Sequence, residues 1–178
     1  MNTRVLAGLA LAAALLAGPA FAQAQAPAPA ANPMDVIPDN MPFNVPYGAP
    51  ISLDKARAAI DATVAETKKR NWALNVAVVD SGGNLVAFER MDGAQLGSIA
   101  ISEHKARAAA KYRRETKAFE AGIQGGNNYL ITLDDVIASR GGIPLVEGGK
   151  LIGAIGCSGG TGSQDEAACK VGAATINK

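Results

Sequence analysis

Just past residue 50, Leu53, Ala56, Ile60, Val64 and Thr67 fall on one helical face, with Ser52 placed to cap the first turn. A helix ending near Arg70 is predicted. The pattern then shortens to Asn75–Asp80 and Leu85–Arg90, two strands on either side of Ser81-Gly82-Gly83-Asn84, whose glycines supply the positive φ of a tight hairpin. From about Gln95 to Arg114 an alanine-rich stretch carries two stripes at helical spacing. Gly97, Ile101 and Ala108 lie on one side, and Ile99, Ala106 and Ala110 on the other. One stripe can pack on a sheet and the other on a further element or a second subunit. Residues 115–142 are poorly patterned, broken by Gly122, Gly125, Gly126, Gly141 and Gly142 into loops with a short helix or strand near Leu133–Ser139. Ile143–Val146, the turn Glu147-Gly148-Gly149-Lys150 and Leu151–Cys157 predict a second hairpin. Residues 164–177 predict a closing helix with Asp165 and Glu166 in its first turn, where carboxylates favour the helix dipole. Hairpins dominate this order, so the expected class is α+β, an antiparallel sheet with helices packed against it.

The first fifty residues differ. Arg4, an apolar run from Val5 to Ala17 and Ala20-Phe21-Ala22 have the build of a secretory signal over residues 1–22. The run is shorter than the roughly 20 residues that cross a bilayer, and no later stretch is apolar enough to span one. Residues 23–50 are rich in Ala, Gln and Pro and read as a flexible tether, in which Phe43, Val45 and Tyr47 can dock as an N-terminal arm. Residues 51–178 form one domain of ordinary size, expected in the periplasm or outside the cell. With Arg4 set aside, acidic and basic side chains balance, which argues against a nucleic-acid or anionic-membrane partner.

Chemistry-bearing residues are few. Cys157 and Cys169 would be exported to an oxidising compartment, so they can pair. Cys157 closes a buried-looking strand and Cys169 lies inside a helix, so two buried free thiols are the favoured expectation. His104, the one histidine, sits mid-helix on the stripe of Gly97, Ile101 and Ala108, where small neighbours leave room for a flat ligand such as a porphyrin. Lys111, Arg113 and Arg114 are near for its carboxylates. The plainer reading is a partly buried helix histidine bonded to a neighbour or lying at a subunit contact. Gly156-Cys157-Ser158-Gly159-Gly160 matches a serine-hydrolase elbow only formally, since the histidine precedes the serine and the chain is too short for that fold. As a phosphate loop the same turn lacks the following Gly-Lys-Ser/Thr. Met91, in Arg90-Met91-Asp92-Gly93, can touch a flat apolar ligand, although capping and packing explain the segment as well. Glu103, Glu115, Glu120 and Asp134-Asp135 can bind a hard cation weakly or simply be solvated.

Several segments taken together resemble the GlcG/HbpS family, which includes the C-terminal domain of PduO. They are Val79-Asp80-x-x-Gly83-x-Leu85-Val86-Ala87, Arg90-Met91-Asp92-Gly93-Ala94, Lys105-Ala106-Arg107, Gly142-x-Pro144-Leu145, Gly153-Ala154-Ile155-Gly156-x-Ser158-Gly159 and Gln164-Asp165-Glu166. The resemblance spans nearly all of residues 51–178. It implies a profilin-like fold with a five-stranded antiparallel sheet, assembly into homo-oligomers, often octamers, and non-covalent haem binding; an exported member is linked to extracellular haem and iron sensing, which implies a sensor partner. A threonine after the long helix is tied to haem binding in the family, which points to Thr116, although Glu115 stands where the family usually has proline. Histidine is not a regular family feature at position 104, so an iron-binding His104 would be a local addition. The expected site is therefore His104, Thr116, Arg113, Arg114 and Met91 on an exported haem-holding oligomer. Two rivals remain: an enzyme acting on a small organic acid or a flavin- or corrinoid-type ligand through Asp92, Ser158 and Asp165, and an accessory oligomer with no pocket at the His104 face or the glycine-rich turn.

Overall fold

A computed structural model describes residues 37–41 and 43–177. The signal segment and most of the tether lie outside the described residues, and Asn40–Lys178 forms one compact unit. Its elements run α1 (Leu53–Lys69), β1 (Asn75–Asp80), β2 (Leu85–Arg90), α2 (Ser98–Tyr112), α3 (Lys117–Gln124), a 3-10 turn (Asn128–Thr132), β3 (Gly142–Glu147), β4 (Lys150–Ser158) and α4 (Gly162–Ala173). The strands form an antiparallel sheet in the order β2-β1-β4-β3. This is the expected α+β class, with four strands among the described residues where the resemblance implies five.

Local chemistry accounts for the boundaries. Ser52 Oγ accepts from the Lys55 amide at the start of α1, and Arg70 caps its end. In the first hairpin Asp80 Oδ1 accepts from the amides of Gly82 and Asn84, at 2.8 and 2.9 Å. In the second, Gly148 and Gly149 both take positive φ, 56° and 74°, the signature of a two-residue turn matched to strand twist. The long helix is shorter than predicted. It begins at Ser98 rather than Gln95, so Asp92 is an exposed turn residue, and it stops where Arg113 turns left-handed at φ 53°. No helix or strand forms at Leu133–Ser139. The short helices of this region lie earlier, at Lys117–Gln124 and Asn128–Thr132, where Phe119 and Leu130 pack on Ala108 of α2.

The sheet is covered on both faces. Val76, Val78, Ile143, Leu145 and Ile155 face α1 and α4, joined by Ala56, Ala59, Ile60, Ala168 and Ala173. On the other face Ala77, Val79 and Ala154 meet Ala106, Ala109 and Ala110 of α2. Gly156 lets α2 lie unusually close, since a Cβ there would come within 2.1 Å of Ser102 O and 2.5 Å of the Ala106 amide nitrogen.

Cys157 and Cys169 form a disulfide, with Cα atoms 5.7 Å apart, which corrects the expectation of free thiols. Both are fully buried as expected. The reversal between Ser158 and Gly162 folds α4 back on the end of β4, which brings a strand terminus and a helix interior face to face. The arm also docks. Leu151 of β4 accepts from the Gly48 amide and donates to Pro46 O, at 2.7 and 2.8 Å, and Tyr47 pairs with it in parallel.

Candidate functional site

The outer face of α2 holds His104, Arg107 and Lys111 one turn apart in succession. His104 is partly buried, and its Nε2 atom is fully buried without a hydrogen-bond partner. Opposite stands Asp135, whose carboxylate binds Lys111 at 2.5 Å and lies 3.8 Å from Arg107. The hydrogen bond from Lys111 holds the Asp135 carboxyl below the usual aspartate range against the opposing effect of burial, with further help from the charges of Lys111, Arg107 and His104. Tyr112 Oη donates to Asp134 O at 2.6 Å. The segment around Asp134-Asp135 is thereby latched over the helix by the Asp135 carboxylate and the Asp134 carbonyl, while the Asp134 carboxylate stays on the solvated face.

At the C-terminal end of α2 the chain turns a corner against the arm. Arg113 donates to Val45 O at 3.1 Å and lies 5.3 Å from the Tyr47 ring, while Tyr47 Oη donates to Lys111 O at 2.7 Å. The Arg114 guanidinium stacks 3.2 Å from the Phe43 ring and 5.2 Å from Phe119. Thr116 is fully buried; its Oγ1 accepts from the Gly142 amide at 2.9 Å and its own amide donates to Gly142 O. The threonine therefore pins the entry of α3 to the entry of β3.

Met91 is elsewhere. It packs on the α1 face of the sheet, where its Sδ accepts from Thr67 Oγ1 at 3.2 Å, and lines a cleft with Lys68 and Asp92. His104, Arg113, Arg114 and Thr116 share the region of α2 and its exit, whereas Met91 is separated from them by the sheet. Ser158 ends a strand and is buried, which removes the hydrolase elbow.

One ionic pair escaped the sequence reading. Lys105, 1% exposed, donates from Nζ to Asp165 Oδ2 at 2.8 Å and to Cys157 O at 3.1 Å, and Asp165 Oδ1 accepts from the Gly160 amide. Its signal was a lysine amid Ser98, Ser102, Ala106 and Ala109, the buried face of α2, since a lysine there needs a partner. Beside it, Arg140 grips Glu120 and reaches Glu166, which also binds Lys117 and Lys170; Lys170 in turn reaches Glu115. Among the described residues no group of three His, Cys, Asp or Glu side chains is disposed to hold a metal ion.

The fit to haem is therefore uneven. The unpartnered His104 Nε2 has the chemistry of an iron ligand, and two guanidiniums, here engaged with the arm, suit propionates, while Thr116 and Met91 are engaged in packing.

Fold and site thus define an α+β domain with one unclaimed buried imidazole nitrogen on its long helix. Residues 51–174 match the family described as "Haem degrading protein HbpS-like", and the chain belongs to that family. GlcG of Escherichia coli strain K12 is 41% identical over 108 residues, which span 61% of this chain and 81% of that protein. Among solved structures, a double mutant of HbpS from Streptomyces reticuli superposes with a TM-score of 0.69 at 26% identity, covering 84% of this chain and all of that one. The PduOC:haem complex superposes with a TM-score of 0.66 at 26% identity, covering 72% of this chain and 96% of that one.

Proposed function

We propose that this is an exported protein that holds or buffers haem non-covalently as a homo-oligomer. The observation that carries the reading is the buried His104 Nε2 without a partner, on a domain whose family is haem-linked by description and whose solved relatives include a haem complex. When bound, haem would supply an iron that an imidazole nitrogen can ligate. His104 would offer that nitrogen. Arg113 and Arg114 would meet the propionates once the arm aromatics give way. Export rests on the leader-like residues 1–22 and is favoured by the Cys157–Cys169 bond, a feature of oxidising compartments. Self-association to an octamer and a fifth strand rest on the family resemblance.

Haemin titration followed through the Soret band tests the reading, with wild type beside His104→Ala and Thr116→Ala. A saturable one-to-one shift, blue-shifted or weakened at least about tenfold in His104→Ala, is expected. Non-saturating change in all three proteins would sink the haem reading. A Soret band that forms and then bleaches under a mild reductant would point to degradation rather than holding.

A further inference from the structure

The glycine-rich turn shapes a cleft of about 320 Å³ that the haem reading leaves unused. It is bounded by Asn71 and Trp72 after α1, by Gln95 before α2, and by Gly160 and Gln164 at the start of α4. Its volume is at the lower end of the roughly 300–1,000 Å³ of small-molecule sites. No residue lining it carries a charge. The nearest charge, Arg70 beside Trp72, is already paired with Glu66, so the lining favours an uncharged ligand.

Its polar groups are carboxamides in a particular state. Gln164 Oε1 accepts from the Thr161 amide at 2.8 Å, closing the capping box of α4, and Gln95 Oε1 accepts from Ser98 Oγ at 3.3 Å. Both oxygens are engaged. Among the described residues the Nε2 groups of exposed Gln95 and half-buried Gln164, and the side-chain Nδ2 of exposed Asn71, have no acceptor within the protein and face the cleft's solvent side. Asn75, next in the chain to Leu74 of the cleft wall, is fully buried; its Nδ2 donates to Gln95 O at 3.0 Å, and its Oδ1 has no partner. Such a group is rarely left unmatched inside a protein. Trp72, the one tryptophan of the chain, adds a flat apolar wall with the Arg70 guanidinium 5.0 Å from its ring.

We propose that this cleft binds an uncharged bicyclic heteroaromatic with a cyclic-amide edge, the chemistry of an oxopurine or pteridine. Its ring lies along Trp72, and its carbonyl accepts from Gln95 and Gln164. This is a site separate from His104 and goes beyond the haem reading.

Hypoxanthine is the probe, and quenching of Trp72 fluorescence is the readout, with unsubstituted purine as the ring that lacks the amide edge. Saturable quenching by hypoxanthine, at least about tenfold tighter than by purine, is expected. Gln164→Glu keeps the oxygen that closes the capping box, since glutamate serves at that position, and removes the donor. It should weaken hypoxanthine at least about tenfold with an unchanged melting temperature and unchanged haemin titration. Gln95→Glu provides the same test at the other donor should the first variant fold poorly. Absence of saturable quenching, equal affinity for purine, or full affinity in both folded variants would overturn the proposal.

Discussion

His104, in the middle of α2, and Thr116, just past its end, are in opposite conditions. The imidazole has a buried nitrogen with nothing to bind, whereas the threonine hydroxyl already binds the Gly142 amide. Leaving a buried polar group unmatched costs about 1–3 kcal/mol. His104→Leu should therefore leave thermal stability within about 1 kcal/mol of wild type, or raise it, while abolishing the Soret shift; a large loss of stability in a urea melt would mean that the ring is a structural member instead. Thr116→Ala should do the reverse, lowering stability by about 1–3 kcal/mol through the orphaned Gly142 amide and leaving haem affinity within about threefold. Gly156→Ala has no room, because its Cβ would collide with the backbone of α2; a loss of about 3 kcal/mol or failure to fold is expected from overpacking. The position of His104 was visible as a lone histidine on a small-residue stripe, and its unpartnered nitrogen was not. The engagement of Thr116 was not, because the partner amide lies 26 residues away in a strand whose position depends on the fold.

Among elements, α4 is tied down twice across its first turns. The Cys157–Cys169 bond closes a short loop, separation 12, for which chain-entropy arguments give about 3 kcal/mol. The double substitution to serine should lower stability by about that amount or more, measured by denaturant unfolding, and an unchanged midpoint would show that packing alone seats the helix. One turn earlier, Lys105–Asp165 ties α4 to α2 through the end of β4. Removing one partner, as in Asp165→Ala, should cost about 3–5 kcal/mol because Lys105 would stay buried without its counter-charge. Acid should loosen this region as well. Glu120 is held below the ordinary glutamate value of 4.5 mainly by its hydrogen bonds from Arg140. A carboxylate with a depressed folded pKa adds stability that is complete above its unfolded pKa and is lost as pH falls through the folded one. Melting temperature should hold steady from neutral pH down to about 5 and fall below about 4.5, and Glu120→Gln should flatten that fall. The strands, hairpin turns and first helix could be read from residue spacing alone, because each is specified by neighbours within a few positions. The disulfide, the Lys105 pair and the 3-10 turn could not, since each arises from approach between segments that sequence order separates.

For the whole molecule, the arm occupies the two arginines that the proposed haem site would use. Phe43, Val45 and Tyr47 engage Arg114 and Arg113, so removing residues 23–47 should speed haemin association several-fold in stopped flow, while a slower rate would make the arm part of the binding surface. Exposed Leu96, Ile101, Ile131 and Leu133 leave apolar area on the outside of the unit, consistent with self-association without fixing its order. The most direct test counts both features at once. Native mass spectrometry of the protein mixed with one equivalent of haemin per chain should display a homo-oligomer carrying one haem per subunit, with His104→Ala forming the same oligomer and losing the haem. A monomer, or an oligomer that stays free of haem at that ratio, would contradict the account.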